Sequence, residues 1–248
     1  MSDILSPQTS DIGHPDLFPG ESMDQFLDGR LQIIQSRDGY RFSIDAILLS
    51  EFVSIRTGDV VIDLGTGCGI VPLILLLTRP VSHAVGLEIQ EELAFQAVRN
   101  VLLNRMGQKI DIVRGDIRYP PMAGASADVV VCNPPYRKNK SGRINPNPQR
   151  AIARHELLAS IDDILRTAGY LLKKKGRFAL IYPAVRLADI LIRLRQFNLE
   201  PKRIQLNYPN IDSDAKLVLI EATQGGRPGL EVLPPLLGQG NFSIAGRP

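Results

Sequence analysis

Apolar residues along this chain form two alternating patterns: short unbroken runs rich in Val and Ile, and longer stretches with apolar positions three or four apart. The runs Val60-Val61-Ile62-Asp63-Leu64, Ala84 to Glu88, Ile110 to Val113, Val129 to Cys132 and Arg177 to Tyr182 predict strands. β-Branched side chains suit the pleat, and runs without polar alternation suit strands covered on both faces. Between them, Ile70 to Leu77, Glu91 to Asn104, about Arg154 to Leu172 and about Val185 to Phe197 carry helical spacing. Two later runs, Arg203 to Leu206 and Lys216 to Ala222, flank a short loop containing Asn210 and Asp212 and predict an antiparallel hairpin at one edge. The whole predicts an α/β fold: a doubly wound, mostly parallel, seven-stranded Rossmann-like sheet with right-handed crossovers, closed by that C-terminal hairpin.

The ends read differently. Met1 to about Ser22 mixes Ser, Pro, Gly, Asp and His without a period and is expected to be a flexible extension or to lie over the surface. Asp28 to Tyr40 predicts a short β-hairpin, with Leu31 to Gln35 as strand and Asp38-Gly39 as its turn, before Ser43 caps a helix through about Val53. One domain is expected from residue 23 to residue 224, with Gly225 to Pro248 as an extended C-terminal arm. A length of 248 residues and 44% hydrophobic content suit one core. A net charge of +3 permits a nucleic-acid partner without requiring one. Cys68 and Cys132 lack metal-type spacing, which argues against a zinc site or disulfide framework and fits a reducing cytoplasm. The longest apolar stretch contains Pro72 and is too short to span a bilayer, and the polar N-terminus lacks a signal peptide's apolar segment.

Candidate chemistry gathers at the ends of the strands. Asp63-Leu64-Gly65-Thr66-Gly67-Cys68-Gly69 follows the first strand of the repeat and opens a helix, with Gly-x-Gly-x-Gly spacing instead of the Gly-x-Gly-x-x-Gly of dinucleotide sites. An acid here would repel pyrophosphate but suits the ammonium end of S-adenosylmethionine; a purely structural turn is the alternative. Glu88 ends the second strand and offers an acceptor pair for two ribose hydroxyls, or a cap for the helix beginning near Gln90. Asp116, after the third strand and beside Ile117, offers an acceptor to an adenine amino group. Three acids at successive strand ends favour a methyl donor.

At the fourth strand's end stands Asn133-Pro134-Pro135-Tyr136. Proline cannot donate to a ladder, so the strand stops there and the amide lands on the edge where open α/β sheets bind ligands. The Asn133 amide oxygen and the Pro134 carbonyl can accept from an exocyclic amine while Tyr136 stacks on its ring. An ordinary Asn-Pro turn is the bland alternative. Next come Arg137, Lys138, Lys140, Arg143, Arg150 and Arg154, with no acid between Arg137 and Arg154, a run that favours polyanion contacts over a merely solvated loop. His155 reads as a helix N-terminal residue or backbone clamp instead of a catalyst. Lys173-Lys174-Lys175 reads as a helix end placed by the helix dipole.

With these motifs the chain resembles the bacterial tRNA1(Val) adenine-N6 methyltransferases, from about Asp24 to Pro235. The likeness is carried by Gly39 to Ala46, the glycine loop from Asp63, Asn133 to Tyr136, Ala153-Arg154-His155-Glu156, and Gly225-Gly226-Arg227-Pro228-Gly229-Leu230. The chain departs from the family in its long N-terminal extension and in a tail ending Ala245-Gly246-Arg247-Pro248. The resemblance implies a class I fold that uses S-adenosylmethionine, without metal, to methylate an adenine N6 beside a tRNA anticodon. By likeness, Phe42, Ser43 and Asp45 belong to a cofactor lid, and Asp63, Gly65, Thr66 and Gly67 to the methionine end. Glu88 with Ile89 then serves the ribose and Asp116 with Ile117 the adenine. Asn133 to Tyr136 hold the target base, and the basic run from Arg137 to Arg154 holds RNA. Two other readings share the motifs: a release-factor glutamine methyltransferase, whose substrate offers the same planar amide, and an RNA-binding module without turnover.

Overall fold

The computed structural model describes residues 4–5, 17–38, 41–134 and 159–238. Its strands are β1 (Ile4–Leu5), β2 (Glu21–Phe26), β3 (Leu31–Ser36), β4 (Val60–Leu64), β5 (His83–Glu88), β6 (Ile110–Arg114), β7 (Ala127–Cys132), β8 (Leu172–Pro183), β9 (Leu199–Tyr208), β10 (Leu217–Gln224), β11 (Glu231–Val232) and β12 (Leu236–Leu237). Its α-helices are α1 (Ile44–Phe52), α2 (Ile70–Thr78), α3 (Glu91–Leu103), α4 (Ile161–Leu171) and α5 (Leu187–Gln196).

The main sheet runs β1-β6-β5-β4-β7-β8-β10-β9-β11, with β12 also on β9. From β6 to β8 the pairing is parallel, and β10 joins both β8 and β9 antiparallel. Seven long strands thus match the expected sheet, and three two-residue strands extend its edges.

The Val-rich runs lie in the middle because both of their faces are covered. Val61, Val129, Val131, Ala179 and Ile181 enter one core with α1, α2 and α3. Ile62, Leu64, Val130, Cys132, Phe178 and Leu180 enter the other, with α4 and α5. Successive residues of one strand therefore serve opposite cores, as the two-residue strand period requires. Chain order reverses between β4 and β7: the chain moves outward through β5 and β6 and then restarts on β4's other side. Ligand crevices in open α/β sheets form at this reversal.

Several boundaries differ from the sequence reading. The hairpin pairs β2 with β3 and turns at Leu27–Arg30, not at Asp38-Gly39. Leu27 and Asp28 take positive φ there, a turn chemistry that non-glycine side chains conceal. The segment ahead of residue 23 contributes Ile4–Leu5, paired to β6, and the start of β2. The helix that ends at Leu171 begins at Ile161, and the expected start near Arg154 lies outside the described residues. Ser160 caps it, accepting from the Asp163 N–H at 3.2 Å while the Asp163 carboxylate accepts from the Ser160 N–H at 2.9 Å. Lys173 to Lys175 do not cap a helix. They open β8, where Lys173 meets Asp128 at 2.9 Å and Lys175 donates to the Gly225 carbonyl at 2.7 Å. The described part of the C-terminal arm, up to residue 238, lies along β9 through β11 and β12 and covers what would be a bare sheet edge.

Candidate active site

The glycine loop joins β4 to α2 beside the tip of β5. Gly65, Gly67 and Gly69 all take positive φ, which lets the chain reverse within five residues. The Leu87 carbonyl accepts from the N–H groups of Gly65 and Thr66 at 2.9 and 3.0 Å, so the loop is stitched to the neighbouring strand. Gly86 makes room for it: a Cβ there would lie 2.7 Å from the Thr66 methyl carbon. The need for glycine inside β5 was not legible before the two strands were aligned.

Glu88, 3% exposed, accepts from the Gly67 N–H on one oxygen and the Gln90 N–H on the other, each at 2.9 Å. Gln90 is the residue preceding α3, so the carboxylate both holds the loop and steadies the helix entrance. Burial raises its pKa, opposed by the amides of Gln90, Gly67 and Ile89.

Asp63 is 2% exposed, and its Oδ2 has no hydrogen-bond partner among the described residues; neither has the nearby Thr66 hydroxyl. Burial lifts the Asp63 pKa to about 7; the Thr66 hydroxyl, close by but outside hydrogen-bonding geometry, offsets this in part and the Glu88 carboxylate adds to it. A buried acceptor left unpaired costs about 1–3 kcal/mol. A cationic amino group supplied by a ligand would relieve it, so the donor set fits the ammonium end expected from the sequence.

Asn133 sits one residue beyond the β4–β7 pairing of Leu64 with Cys132, which puts it alongside Gly65, itself one residue beyond Leu64. It is half-buried, and Pro134 is buried. Cys132 donates its thiol to the Leu64 carbonyl at 3.3 Å, a further tie between the two tips. Both cysteines are free and buried, and burial pushes the Cys68 thiol up to about 12.

The third acid behaves differently. Arg118 bonds both Asp116 oxygens, with Nε at 3.0 and 2.9 Å, and holds the carboxyl below its ordinary range. An adenine amine would have to share that acceptor. Ile117 is better placed: its Cδ1 lies 3.9 Å from where a Gly65 Cβ would stand, and Thr167 of α4 fixes its carbonyl at 2.6 Å.

Of the residues expected to form a lid, Ser43 stands at the N-cap of α1 without a side-chain capping bond, and Asp45, whose pKa burial raises, lies in the first turn. Phe42 packs edge-on against Phe26 at 4.9 Å, and its N–H donates to the Gln35 side chain at 3.2 Å. Ile89 is half-buried beside Glu88. Pro135, Tyr136, Arg137, Lys138, Lys140, Arg143, Arg150, Arg154 and His155 lie outside the described residues.

Sequence reasoning overlooked Asn100 and Asn104. Asn100 projects from α3, and Asn104 from its C-cap, onto the backbone of β3. Their signal was present: Asn100 continues a buried stripe with Ala94, Ala97 and Val101, where a polar residue has to be paired.

Comparison with known proteins places the chain in a family. Residues 43–186 match the methyltransferase small domain. A protein of Bacteroides thetaiotaomicron named tRNA1(Val) (adenine(37)-N6)-methyltransferase is 34% identical over 56% of this chain and 58% of its own length. One of Porphyromonas gingivalis with the same name is 30% identical over 73% of each chain. Among solved structures, a predicted O-methyltransferase from Agrobacterium tumefaciens superposes with a TM-score of 0.63 at 21% identity, covering 82% of this chain and 92% of its own. A geranyl diphosphate C-methyltransferase from Streptomyces coelicolor, solved with S-adenosyl-L-homocysteine, gives 0.53 at 14% identity over 72% and 76%. These two show the fold alone. The matched domain and the relatives together show that the chain is a methyltransferase and belongs to the methyltransferase small domain family, among the tRNA1(Val) (adenine(37)-N6)-methyltransferases.

Proposed function

We propose that this enzyme transfers a methyl group from S-adenosylmethionine to the exocyclic N6 of an unpaired adenine in tRNA, beside the anticodon. The observation that carries the reading is the pairing of Leu64 with Cys132, which brings the Asp63 glycine turn and Asn133 to adjacent strand tips at the sheet's reversal point. Asp63 and the glycine loop hold the amino-acid end of the donor, Glu88 the ribose, and Ile117 the face of its adenine. When bound, S-adenosylmethionine supplies an electrophilic methyl on a positive sulfur.

The rest is positioning. Asn133 Oδ1 and the Pro134 carbonyl accept the two amine hydrogens, which turns the nitrogen lone pair toward the methyl, and Tyr136 stacks on the base. Orientation of this kind supplies several kcal/mol of rate, roughly a hundredfold or more, without a strong base. The proton leaves late, to water. The basic residues from Arg137 to Arg154 contact phosphates and set RNA register. No helix among the described residues is long and apolar enough to cross a membrane. A cytoplasmic site of action accords with a tRNA substrate.

The test incubates purified protein with labelled donor and, separately, bulk tRNA, a release factor or DNA, and digests each product. N6-methyladenosine from tRNA is the expected product. Label on a release-factor glutamine would replace this reading, and donor and tRNA binding without transfer would make the chain a binding module.

A further inference from the structure

We infer that Asn100 is a positioning residue for the methyl-donor site, joining the N-terminal hairpin to the glycine loop through one carboxamide; the inference rests on the donor reading of that loop. Asn100 is fully buried. Its Oδ1 accepts from the Ile34 N–H at 2.7 Å, and its Nδ2 donates to the Ile34 carbonyl at 3.1 Å and to the Cys68 carbonyl at 2.9 Å. Both amide protons and the oxygen are thereby engaged.

One turn on, Asn104 repeats half of this pattern. It accepts from the Gln32 N–H at 3.0 Å and donates to the Gln32 carbonyl at 2.7 Å, but its remaining proton goes to the Asn100 carbonyl at 2.8 Å, within α3. Residues two apart on a strand present their N–H and C=O groups to the same side, and residues four apart on a helix share a face. The two asparagines therefore act as a substitute strand for the open edge of β3. Only Asn100 also reaches the donor site.

The consequence lies in how the loop is anchored. Glu88 holds the Gly67 N–H from the β5 side, and Asn100 holds the carbonyl of the next residue, Cys68, from the α3 side. Fixed on both flanks, the loop presents Asp63 and Thr66 to the donor without having to be ordered first. The same carboxamide ties the loop to β3. From β3, Gln35 continues through its bond with the Phe42 N–H to the segment that enters α1. Removing Asn100 transfers the cost of ordering the loop to donor binding. Removing Asn104 loosens the hairpin but leaves the Cys68 anchor.

Calorimetry with S-adenosylhomocysteine on Asn100→Ala and Asn104→Ala separates these roles. Asn100→Ala is expected to weaken binding about tenfold or more, and Asn104→Ala no more than about twofold. In turnover, Asn100→Ala should raise the donor KM while kcat at saturating donor stays within about threefold. Unchanged affinity in Asn100→Ala, or equal losses in the two variants, would overturn the inference.

Should Asn100→Ala prove too unstable to purify, amide exchange on the unmodified chain supplies a second readout. S-adenosylhomocysteine should slow exchange at Ile34 together with the loop amides. An Ile34 amide indifferent to the ligand would also overturn the inference. Failure of the unmodified chain to bind S-adenosylhomocysteine would instead remove the donor reading and this inference with it. Neither readout involves RNA, so a different methyl acceptor would leave both results standing.

Discussion

Asp59 and Asp63 lie at opposite ends of β4, both more than nine-tenths buried, and they meet opposite fates. Asp59 is answered from within the protein: its Oδ2 accepts from the Arg56 N–H and from Arg177 Nη2, each at 2.6 Å. Asp63 has an oxygen that nothing among the described residues answers. The same side chain, just before β4 and near its end, is a structural clamp where a cation is built in and a candidate ligand site where one is left out. A buried carboxylate oxygen left unanswered points to a ligand more strongly than burial alone does.

The largest effect should come from breaking the compensated end. Arg177→Ala would strand the Asp59 charge and lower stability by about 3–5 kcal/mol, read as a fall in denaturation midpoint. Donor affinity, measured where the variant is still folded, should be unchanged. If donor affinity fell as much as stability, the two ends of β4 would not be independent.

At the other end, Asn133→Ala should reduce transfer about a hundredfold or more while S-adenosylmethionine still binds, since the change removes orientation alone. Equal turnover in single-turnover assays would eliminate the assigned role.

Asp63→Asn sharpens the contrast because it should move stability and binding in opposite directions. The folded-state pKa of about 7 lies above the ordinary 3.8, so the folded chain holds a proton that the unfolded chain releases first. Stability from this group is present below about pH 4, declines as pH rises toward 7 and stays lost above it. The asparagine variant should therefore be more stable than the native chain at pH 8, by about 1–3 kcal/mol, with a flatter pH profile. Its donor affinity should drop about tenfold, and the native chain's rise in affinity between pH 5 and 7 should disappear. A variant less stable at pH 8 would mean that the Asp63 carboxylate has an internal partner after all.

Arg118→Ala is expected to do least. It breaks a partly exposed ion pair with the half-buried Asp116 carboxylate, and donor affinity should shift less than about threefold. A tenfold change would mean that Asp116 contributes to donor binding on the scale of Asp63 and Glu88.

The glycine loop, the three acids and Asn133 were all readable because each depends on local order: a strand, then the residue type that follows it. Turns built from non-glycine residues at positive φ, such as Leu27 and Asp28, were not readable, because nothing in composition distinguishes them. Nor were the partners of Asn100 and Asn104, which lie 66 and 72 residues away, although the buried stripe signalled that Asn100 needs one.

What the chain order alone determined was the alternation of buried strands and helices, and with it the edge of the sheet where chemistry collects. Periodicity and strand-ending residues are short-range properties, and the handedness of crossovers leaves few ways to arrange them. Tertiary structure decided which carboxylate keeps an unpaired oxygen, which is held by backbone amides and which is claimed by an arginine. For Asp59 and Glu88 those outcomes depend on partners that strand register and helix packing bring within 3 Å from 118 and 21 residues away, whereas Asp116 is claimed locally, by Arg118 two residues on.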